Sequence, residues 1–283
     1  MDKRTTPARP DLAAAFLRGK VEAAHFSAGR AMRVAEGAID LRAAPTPEAG
    51  VTTQALFGDE VMVYEDHEGW AWGQLNSDGY VGYMSANALR PLGPEHAPTH
   101  RVAVPRTFAY PDAGMKNPIL QALPLGARVA ATEARGDYMR LVDGEFVYAA
   151  HLQPLDATAS DFVAIAEMFL HVPYLWGGKT CMGLDCSGLL QISLAAAGID
   201  APRDSDMIQL WAAAKLDTGA DFARLRRGDL VFWNGHCGVM QDAHRLLHAN
   251  GHHMQVASEP LRQAAERIAA KSFGAVTGFA RVA

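Results

Sequence analysis

The chain has 283 residues, 49% of them hydrophobic and 20% charged, with a formal net charge of −5. This composition is typical of a folded protein, and the length allows one large domain or two to three small ones. The negative charge and the lack of a basic block argue against a nucleic-acid partner. No apolar run approaches the ~20 residues of a membrane-spanning helix, so no membrane partner is expected either.

The first segment, residues 1–30, is predicted to be a loosely packed helical lead-in. Met1–Pro10 is polar, and Asp11–Leu17 is a short amphipathic stretch that lacks the apolar core and cleavage site of a secretory signal. The sequence therefore predicts a cytoplasmic protein. A mature extracytoplasmic form whose signal has been removed would have the same appearance, so both locations stay open.

Two stretches of short alternating runs follow, and we name them the first copy, residues 31–93, and the second copy, residues 99–156. Strand-length runs broken by Pro, Gly and Asp predict a small antiparallel β-barrel for each. Gln54-Ala55-Leu56 recurs as Gln121-Ala122-Leu123, and both copies end on Leu-x-Pro-Leu. This self-similarity indicates two copies of one fold.

The last segment, residues 157–283, changes from helical to strand-like patterns, which is an α+β order. Three helices are predicted, the first capped by Ser160 and the second ended by Gly198, over residues 161–170, 186–197 and 205–211. Five strands are predicted after Gly228, over residues 230–233, 238–241, 245–249, 253–257 and 275–281.

Cys186 lies in Asp185-Cys186-Ser187-Gly188, between a Gly177-Gly178 turn and the apolar run of the second helix. At a helix start, free amide N–H groups and the positive end of the helix dipole stabilise a thiolate. The polar neighbours argue against a cysteine that is merely a small buried hydrophobe. Cys186 is therefore predicted to be a nucleophile.

Two histidines follow on strand-like segments, His236 after 50 residues and His248 after a further 12. A cysteine at a helix start, a histidine that serves as base and a second residue that orients the base form the arrangement of a cysteine hydrolase. A buried histidine with satisfied hydrogen bonds and no catalytic role is the alternative for His248.

The three cysteines, Cys181, Cys186 and Cys237, cannot all pair, which argues against a disulfide framework. They share one region with several histidines, and the Cys-x4-Cys spacing of the first two does not exclude a zinc site. The helix-start context explains Cys186 better, so no metal and no cofactor are expected. Cys237 follows His236 directly and is expected to point into the core from the opposite face of the strand.

Several motifs of the last segment occur in one order, and together they resemble the NlpC family of bacterial cell-wall cysteine peptidases. They are Tyr174-Leu175-Trp176-Gly177-Gly178, Asp185-Cys186-Ser187-Gly188, Pro202-Arg203-Asp204-Ser205, Gly228-Asp229-Leu230-Val231-Phe232, His236 and Leu247-His248-Ala249. The resemblance covers about residues 157–283 and implies a compact papain-like fold. The two copies before it resemble tandem bacterial SH3-like barrels. The expected fold class is thus an α+β papain-like domain preceded by two small all-β barrels.

The resemblance implies a role for each matched residue. Cys186 attacks the substrate, His236 takes the thiol proton and later protonates the leaving amine, and His248 holds the imidazole in the right tautomer. The backbone N–H of Cys186 is the expected oxyanion donor. A carboxylate beside the nucleophile can bind a free α-amine. The positions expected to bind substrate are Tyr174, for which a core aromatic is the alternative, and Trp176, Asp185, Ser187 and Ser205.

The first copy is expected to contribute to the substrate site, because the leading SH3-like domain of related proteins caps the groove and offers a tyrosine and an acidic residue to the amine. Tyr80 in Asp78-Gly79-Tyr80 and Glu48 in the loop after Leu41 are the candidates. A core tyrosine and a solvated glutamate are the alternatives for these two positions.

The resemblance implies a cysteine endopeptidase that hydrolyses the γ-D-glutamyl–diamino acid bond of murein stem peptides with a free N-terminal L-Ala, in cell-wall peptide recycling. A monomer or a small homo-oligomer is expected. The alternatives are a peptidoglycan-binding module with an inactive hydrolase domain and a papain-like amidase or acyltransferase with another substrate. The intact set of Cys186, His236 and His248 argues against the binding module.

Overall fold

The computed structural model describes residues 1–213 and 215–282, and the chain divides into two compact units, Met1–Ala157 and Thr158–Ala283. The first unit is built almost entirely of strands, and the second combines helices with a sheet. No helix in the described part of the chain has the length and apolar character needed to cross a membrane.

The N-terminal segment is not the helical lead-in that its sequence pattern predicts. Strand β1, Leu12–Ala14, pairs in parallel with β2, His25–Ser27. A short 3-10 helix, Ala15–Leu17, lies between the two strands in the sequence. Leu17 lies in one apolar cluster with Tyr64 and Trp72 of the first copy. The prediction was wrong because burial of these few apolar side chains against the first copy outweighs the weak helical pattern.

The first copy forms a seven-stranded antiparallel sheet in the order β5-β4-β8-β7-β6-β3-β9. Inward and outward side chains alternate along strands such as β4, where Ile39 and Leu41 are buried, as expected for a sheet with one core-facing side. Its strands are β3 Arg30–Val34, β4 Ala38–Arg42, β5 Val51–Leu56, β6 Glu60–His67, β7 Trp70–Leu75, β8 Val81–Ser85 and β9 Leu89–Pro91.

The second copy repeats this strand order. Its five-stranded sheet has the order β12-β11-β16-β15-β14, and a three-stranded sheet has the order β13-β10-β17. When the two strand orders are written one after the other, they match the strand order of the first copy. The counterpart of β6 is divided into two strands, β13 and β14, between Val129 and Ala131. The strands are β10 His100–Val102, β11 Arg106–Tyr110, β12 Gln121–Pro124, β13 Arg128–Val129, β14 Ala131–Arg135, β15 Tyr138–Leu141, β16 Phe146–Tyr148 and β17 Leu152–Pro154.

Within the first unit, the backbones of the two copies touch. A Cβ atom on Gly37 would lie 1.9 Å from the carbonyl oxygen of Ala122, and one on Gly58 would lie 2.0 Å from that of Arg128. The Arg128 N–H donates to the carbonyl of Phe57 at 2.9 Å. Glycine is needed at both positions because a side chain cannot fit where one backbone meets another.

The second unit has a five-stranded antiparallel sheet in the order β23-β22-β21-β20-β24 and a short hairpin, β18-β19. Its strands are β18 Lys179–Thr180, β19 Gly183–Leu184, β20 Asp229–Trp233, β21 His236–Met240, β22 Arg245–Asn250, β23 Gln255–Pro260 and β24 Gly278–Arg281. Its helices are α1 Phe162–Glu167, α2 Cys186–Ala196, α3 Ser205–Ala212 and α4 Leu261–Lys271. The α+β order is confirmed, and α4 is a helix that the sequence pattern did not predict.

Several predicted boundaries in this unit differ from the structure, and two of the differences have a clear physical reason. Helix α1 is shorter than expected, and its N-cap is Asp161, whose carboxylate accepts the N–H groups of Val163 and Ala164. A carboxylate satisfies two free amides at once, which makes Asp161 a better cap than Ser160. Strand β23 starts at Gln255, two residues after the predicted start, because Met254 takes a left-handed conformation with φ 52° in the preceding turn.

Helix α2 is the central element of the second unit. Ten of its residues are buried, and it packs against α1, β21 and β22. A helix that is apolar on all sides is stable only when it is enclosed by other elements. This enclosure places the N-terminus of α2 beside the two strands that carry the histidines.

Candidate active site

Cys186 is the first residue of α2, as the sequence predicts, and it is buried. The glycines around it allow a close approach of two backbone segments. A Cβ atom on Gly188 would lie 2.2 Å from the carbonyl oxygen of Gly178, and one on Gly178 would lie 2.4 Å from that of Gly183. The Gly-rich approach therefore holds the loop before β18 against the helix N-terminus.

Asp185 is the N-cap of α2 and is enclosed by hydrogen-bond donors. Its Oδ1 accepts from the Gly188 N–H at 2.7 Å and its Oδ2 from the Gly177 N–H at 2.9 Å. Arg203, only 1% exposed, donates to both oxygens at 3.0 and 2.7 Å and to Ser187 Oγ at 2.8 Å. Any substrate ammonium at Asp185 would thus share the carboxylate with the Arg203 guanidinium.

The two predicted catalytic histidines are hydrogen-bonded to each other on neighbouring strands. His236 Nε2 and His248 Nδ1 are 2.8 Å apart, and both rings are buried. The His236 ring also stacks on Phe273, with ring centroids 5.3 Å apart and an angle of 9° between the planes. Because His236 Nε2 faces His248, its other nitrogen, Nδ1, is the one left for Cys186.

A glycine makes room for this pair of rings. Gly238 lies between the histidines on the same face of the sheet, and a Cβ atom there would be 3.0 Å from the Cβ of His248 and 2.8 Å from Leu246 Cδ1. A side chain at this position would push His248 away from His236. The spacing His236-x-Gly238 therefore has a steric reason that the sequence alone did not reveal.

The chain of contacts continues beyond the residues that sequence reasoning identified. His248 Nε2 is 2.7 Å from Glu259 Oε1, and Arg267 of α4 donates to both oxygens of that carboxylate. Burial lowers the pKa of His248 to about 4, which keeps this imidazole neutral at neutral pH. Burial opposes ionisation of Glu259, yet the hydrogen bonds from Arg267 and His248 hold its pKa well below the ordinary value.

The environment of Cys186 favours the thiolate. A hydrogen bond from the Cys237 thiol and the positive charge of a protonated His236 hold the pKa of Cys186 well below its ordinary value, against the effect of burial. Burial raises the pKa of Cys237, so Cys237 remains a thiol and donates. Cys237 is fully buried, as expected, but its thiol contacts the nucleophile, which the strand pattern did not indicate.

The remaining predicted residues of the second unit occupy different surroundings. Tyr174 is half-buried, and burial together with the charges of Cys186 and Asp185 raises its pKa, so it stays a neutral phenol. Trp176 is 69% exposed on the loop before β18, and Ser205 is buried at the first turn of α3.

The two candidates of the first unit also differ in exposure. Tyr80 is 4% exposed within the apolar core of the first copy, which is the placement that the core-tyrosine alternative expects. Glu48 is exposed in the loop between β4 and β5 and accepts a hydrogen bond from the Thr46 hydroxyl. Only Glu48 of the two presents its side chain at the surface of its unit.

The three cysteines and the neighbouring histidines do not form a metal site in the described part of the chain. Across residues 1–213 and 215–282, no group of three or more His, Cys, Asp or Glu side chains is arranged to hold a metal ion. Within the part of the chain that the structure describes, Cys181, Cys186 and Cys237 form no disulfide. Cys186 and His236 together offer the chemistry of a thiolate paired with an imidazolium.

Comparisons with known proteins agree with this geometry. The model of the NlpC/P60 family matches residues 171–271, and that of the bacterial dipeptidyl-peptidase Sh3 domain matches residues 41–89. A gamma-D-glutamyl-L-lysine dipeptidyl-peptidase of Bacillus subtilis is 28% identical over 70% of this chain and 72% of its own length. One of Bacillus cereus is 29% identical over 64% of this chain and 59% of its own length.

A solved structure of an NlpC/P60 family protein from Bacillus cereus is similar in fold, with a TM-score of 0.74 and 19% identity. It covers 89% of this chain, and the chain covers 99% of it. The likeness shows that the order of strands and helices in this chain occurs in a known fold. The chain is thus similar to NlpC/P60 peptidases: residues 171–271 match the NlpC/P60 family model, and residues 41–89 before them match the bacterial dipeptidyl-peptidase Sh3 domain.

Proposed function

We propose that the protein hydrolyses the γ-D-glutamyl–diamino acid bond of peptidoglycan stem peptides. The observation that carries the proposal is the contact chain from Cys186 through His236 to His248, which supplies a nucleophile, a base and its orienter. The substrate class is supported by the names of the relatives, which are gamma-D-glutamyl-L-lysine dipeptidyl-peptidases.

In the acylation step, the Cys186 thiolate attacks the γ-carbonyl carbon of the D-glutamyl residue. The developing oxyanion is stabilised by the backbone N–H of Cys186 at the α2 N-terminus, with the neutral Tyr174 hydroxyl as a second candidate donor. His236 then gives the proton on Nδ1 to the departing amine of the diamino acid. The C–N bond breaks and a thioester to Cys186 remains.

In the deacylation step, water attacks the thioester. His236 Nδ1 accepts a proton from the water, the C–S bond breaks, and the glutamyl γ-carboxylate leaves while Cys186 returns to its thiolate form. His248 holds the His236 ring throughout by accepting the Nε2–H. No metal or cofactor enters either step.

We further propose that the preferred substrates are short peptides with a free N-terminal L-Ala, as in cytoplasmic recycling of wall fragments by a monomer or small homo-oligomer. The word dipeptidyl-peptidase in the names of the relatives supports recognition of an N-terminus. Glu48, with an exposed carboxylate, is the better candidate of the first unit to meet an ammonium group, because the Tyr80 ring is buried. Trp176 offers an exposed aromatic face to the peptide.

The test is mass spectrometry of L-Ala-γ-D-Glu-diaminopimelate incubated with the protein. The expected products are L-Ala-D-Glu and free diaminopimelate, with no product from the Cys186→Ala variant. The N-acetylated tripeptide is the matched substrate control, and loss of a charge-assisted hydrogen bond should lower its kcat/KM by ~10–150-fold. Equal kcat/KM values would remove the amine pocket, and an uncleaved tripeptide would remove the assigned bond.

A further inference from the structure

Glu259 forms the far end of the contact chain from Cys186 through His236 and His248, and the reaction steps above assign it no role. It lies on β23, 8% exposed, and accepts a hydrogen bond from His248 Nε2 at 2.7 Å. The same carboxylate is paired with Arg267 of α4. A buried carboxylate placed on a histidine that itself contacts the catalytic base is not required for the stability of a sheet.

The two hydrogen bonds of His248 leave only one arrangement of protons. An ionised carboxylate can only accept, so His248 must carry its proton on Nε2 to reach Glu259. Its Nδ1 then holds a lone pair, which can only accept from the Nε2–H of His236 at 2.8 Å. This sets the tautomer of His236 in turn and leaves Nδ1 free to exchange a proton with Cys186.

The charges around His248 come from three neighbouring elements. His236 faces it from β21, Glu259 from β23 and Arg267 from α4, and His253 in the turn before β23 approaches Glu259 Oε1 at 4.0 Å. Arg267 balances the carboxylate charge by donating to both oxygens of Glu259. The negative end of the pair is therefore directed at the imidazole, where it favours positive charge on His236.

We propose that Glu259, held by Arg267, is a positioning residue for the reaction: it fixes the proton of His248 on Nε2, presents His236 Nδ1 to Cys186 and stabilises the thiolate–imidazolium pair. The inference rests on the proposed hydrolase function. The order of contacts is that of a nucleophile, a base, an orienter and a second orienter. In a Ser-His-Asp triad the carboxylate contacts the catalytic histidine directly, whereas Glu259 acts on His236 through the ring of His248.

The first experiment needs no substrate. With the 11 histidines labelled by ¹⁵N, the chemical shifts of the two ring nitrogens report the tautomer of each ring. His248, assigned by comparison with His248→Gln, should be neutral at pH 7 with its proton on Nε2. A neutral ring with the proton on Nδ1, or a protonated ring, would overturn the proposal.

The second experiment removes the charge. Glu259→Gln should move the pH dependence of Cys186 alkylation by iodoacetamide, read peptide by peptide, to higher pH, which slows alkylation below the midpoint by about tenfold. Glu167→Gln is the matched control, because Glu167 pairs with Arg227 in the same unit away from the histidines. Its alkylation profile should equal that of the wild type. An unchanged profile in Glu259→Gln would contradict the proposal.

The third experiment separates positioning from binding. In Glu259→Gln, kcat should fall by about 10–100-fold with little change in KM, and Glu259→Asp should recover part of the loss. Equal losses in both variants, or a rise in KM alone, would contradict the role of the charge. If the wild type shows the expected tautomer and alkylation profile but does not cleave the tripeptide, the substrate assignment fails and the positioning role stands.

Discussion

Two carboxylate–arginine pairs lie behind the reacting groups, one on each side. Asp185 and Arg203 stand behind the nucleophile at the start of α2, with a shortest N–O distance of 2.7 Å. Glu259 and Arg267 stand behind the base at the end of the histidine chain, with a hydrogen bond of 2.6 Å. Both carboxylates are nearly buried. The pairs are chemically alike, but they are used differently.

The difference lies in what the carboxylate touches besides its arginine. Asp185 accepts two backbone N–H groups, so it fixes the course of the chain from Gly177 to Gly188. Glu259 accepts a ring N–H, so it fixes the position of a proton. A buried ion pair contributes little net stability by itself, and its value depends on the geometry that it specifies. One pair specifies a loop, and the other specifies a tautomer.

Removal of the nucleophile gives the largest expected effect, because both pairs serve Cys186. Cys186→Ala should abolish turnover of the tripeptide while the folded structure, checked by circular dichroism, persists. Cys237→Ala is the matched control at the neighbouring buried thiol and should keep most of the activity. Since Cys237 donates to the thiolate, its loss should move alkylation of Cys186 to higher pH. Turnover by Cys186→Ala would disprove the assignment.

Next in size is the loss of the base on the Glu259 side. His236→Ala should lower kcat by ~10²–10⁴-fold, the usual contribution of general acid–base catalysis. His248→Gln should cost less, because His236 remains and only its orientation is weakened. Steady-state kinetics of the two variants measure this order. Comparable rates for wild type and His236→Ala would refute the role of the base.

The two arginines are expected to differ in stability. Arg203→Met leaves the Asp185 charge buried without a guanidinium, so the free energy of unfolding should fall by ~3–5 kcal/mol. Arg267→Met should cost less, because the Glu259 pair is nearer to solvent, with 18% of the Arg267 side chain exposed against 1% for Arg203. Urea unfolding at pH 7 compares the two. If Arg267→Met lowered the free energy of unfolding more than Arg203→Met, the Glu259 pair rather than the Asp185 pair would have the structural role.

The smallest expected effect is a pH dependence of stability from His248. Its pKa is about 4 in the folded chain against 6.5 for the ordinary group, so the unfolded chain binds more protons between these values. Stability from this residue is present above pH 6.5 and is lost as the pH falls towards 4, on the order of 3 kcal/mol in total. His248→Gln should flatten this part of the curve. Equal slopes for both proteins in urea unfolding between pH 7 and 5 would contradict it.

Much of the molecule was predictable because its signals are local in the sequence. The start of α2 near Cys186 follows from a preceding Gly-Gly turn and a following apolar run, and the end of α2 follows from Gly198. The repeat of the two β-copies follows from a recurring tripeptide and a recurring ending. The roles of His236 and His248 followed from the resemblance, and the structure brings the two rings into contact.

Other features depended on which segments meet in space. Helix α4 and the course of residues 1–30 escaped prediction, because packing rather than periodicity decides them. Tyr80 was assigned to the substrate site from its motif, whereas in the structure its ring is buried in the core of the first copy. No pattern near Glu259 marks it as part of the site, since its predicted strand ended two residues earlier.

The sequence by itself therefore indicated the candidate nucleophile, the α+β order of the second unit and the resemblance to NlpC peptidases, because each depends on neighbouring residues. Only the tertiary structure decided the partners of the reacting groups. The pairing of β22 with β23 brings Glu259 to His248, and the packing of α4 brings Arg267 to Glu259. Such contacts depend on strand register and helix packing, which arise when the whole chain has folded.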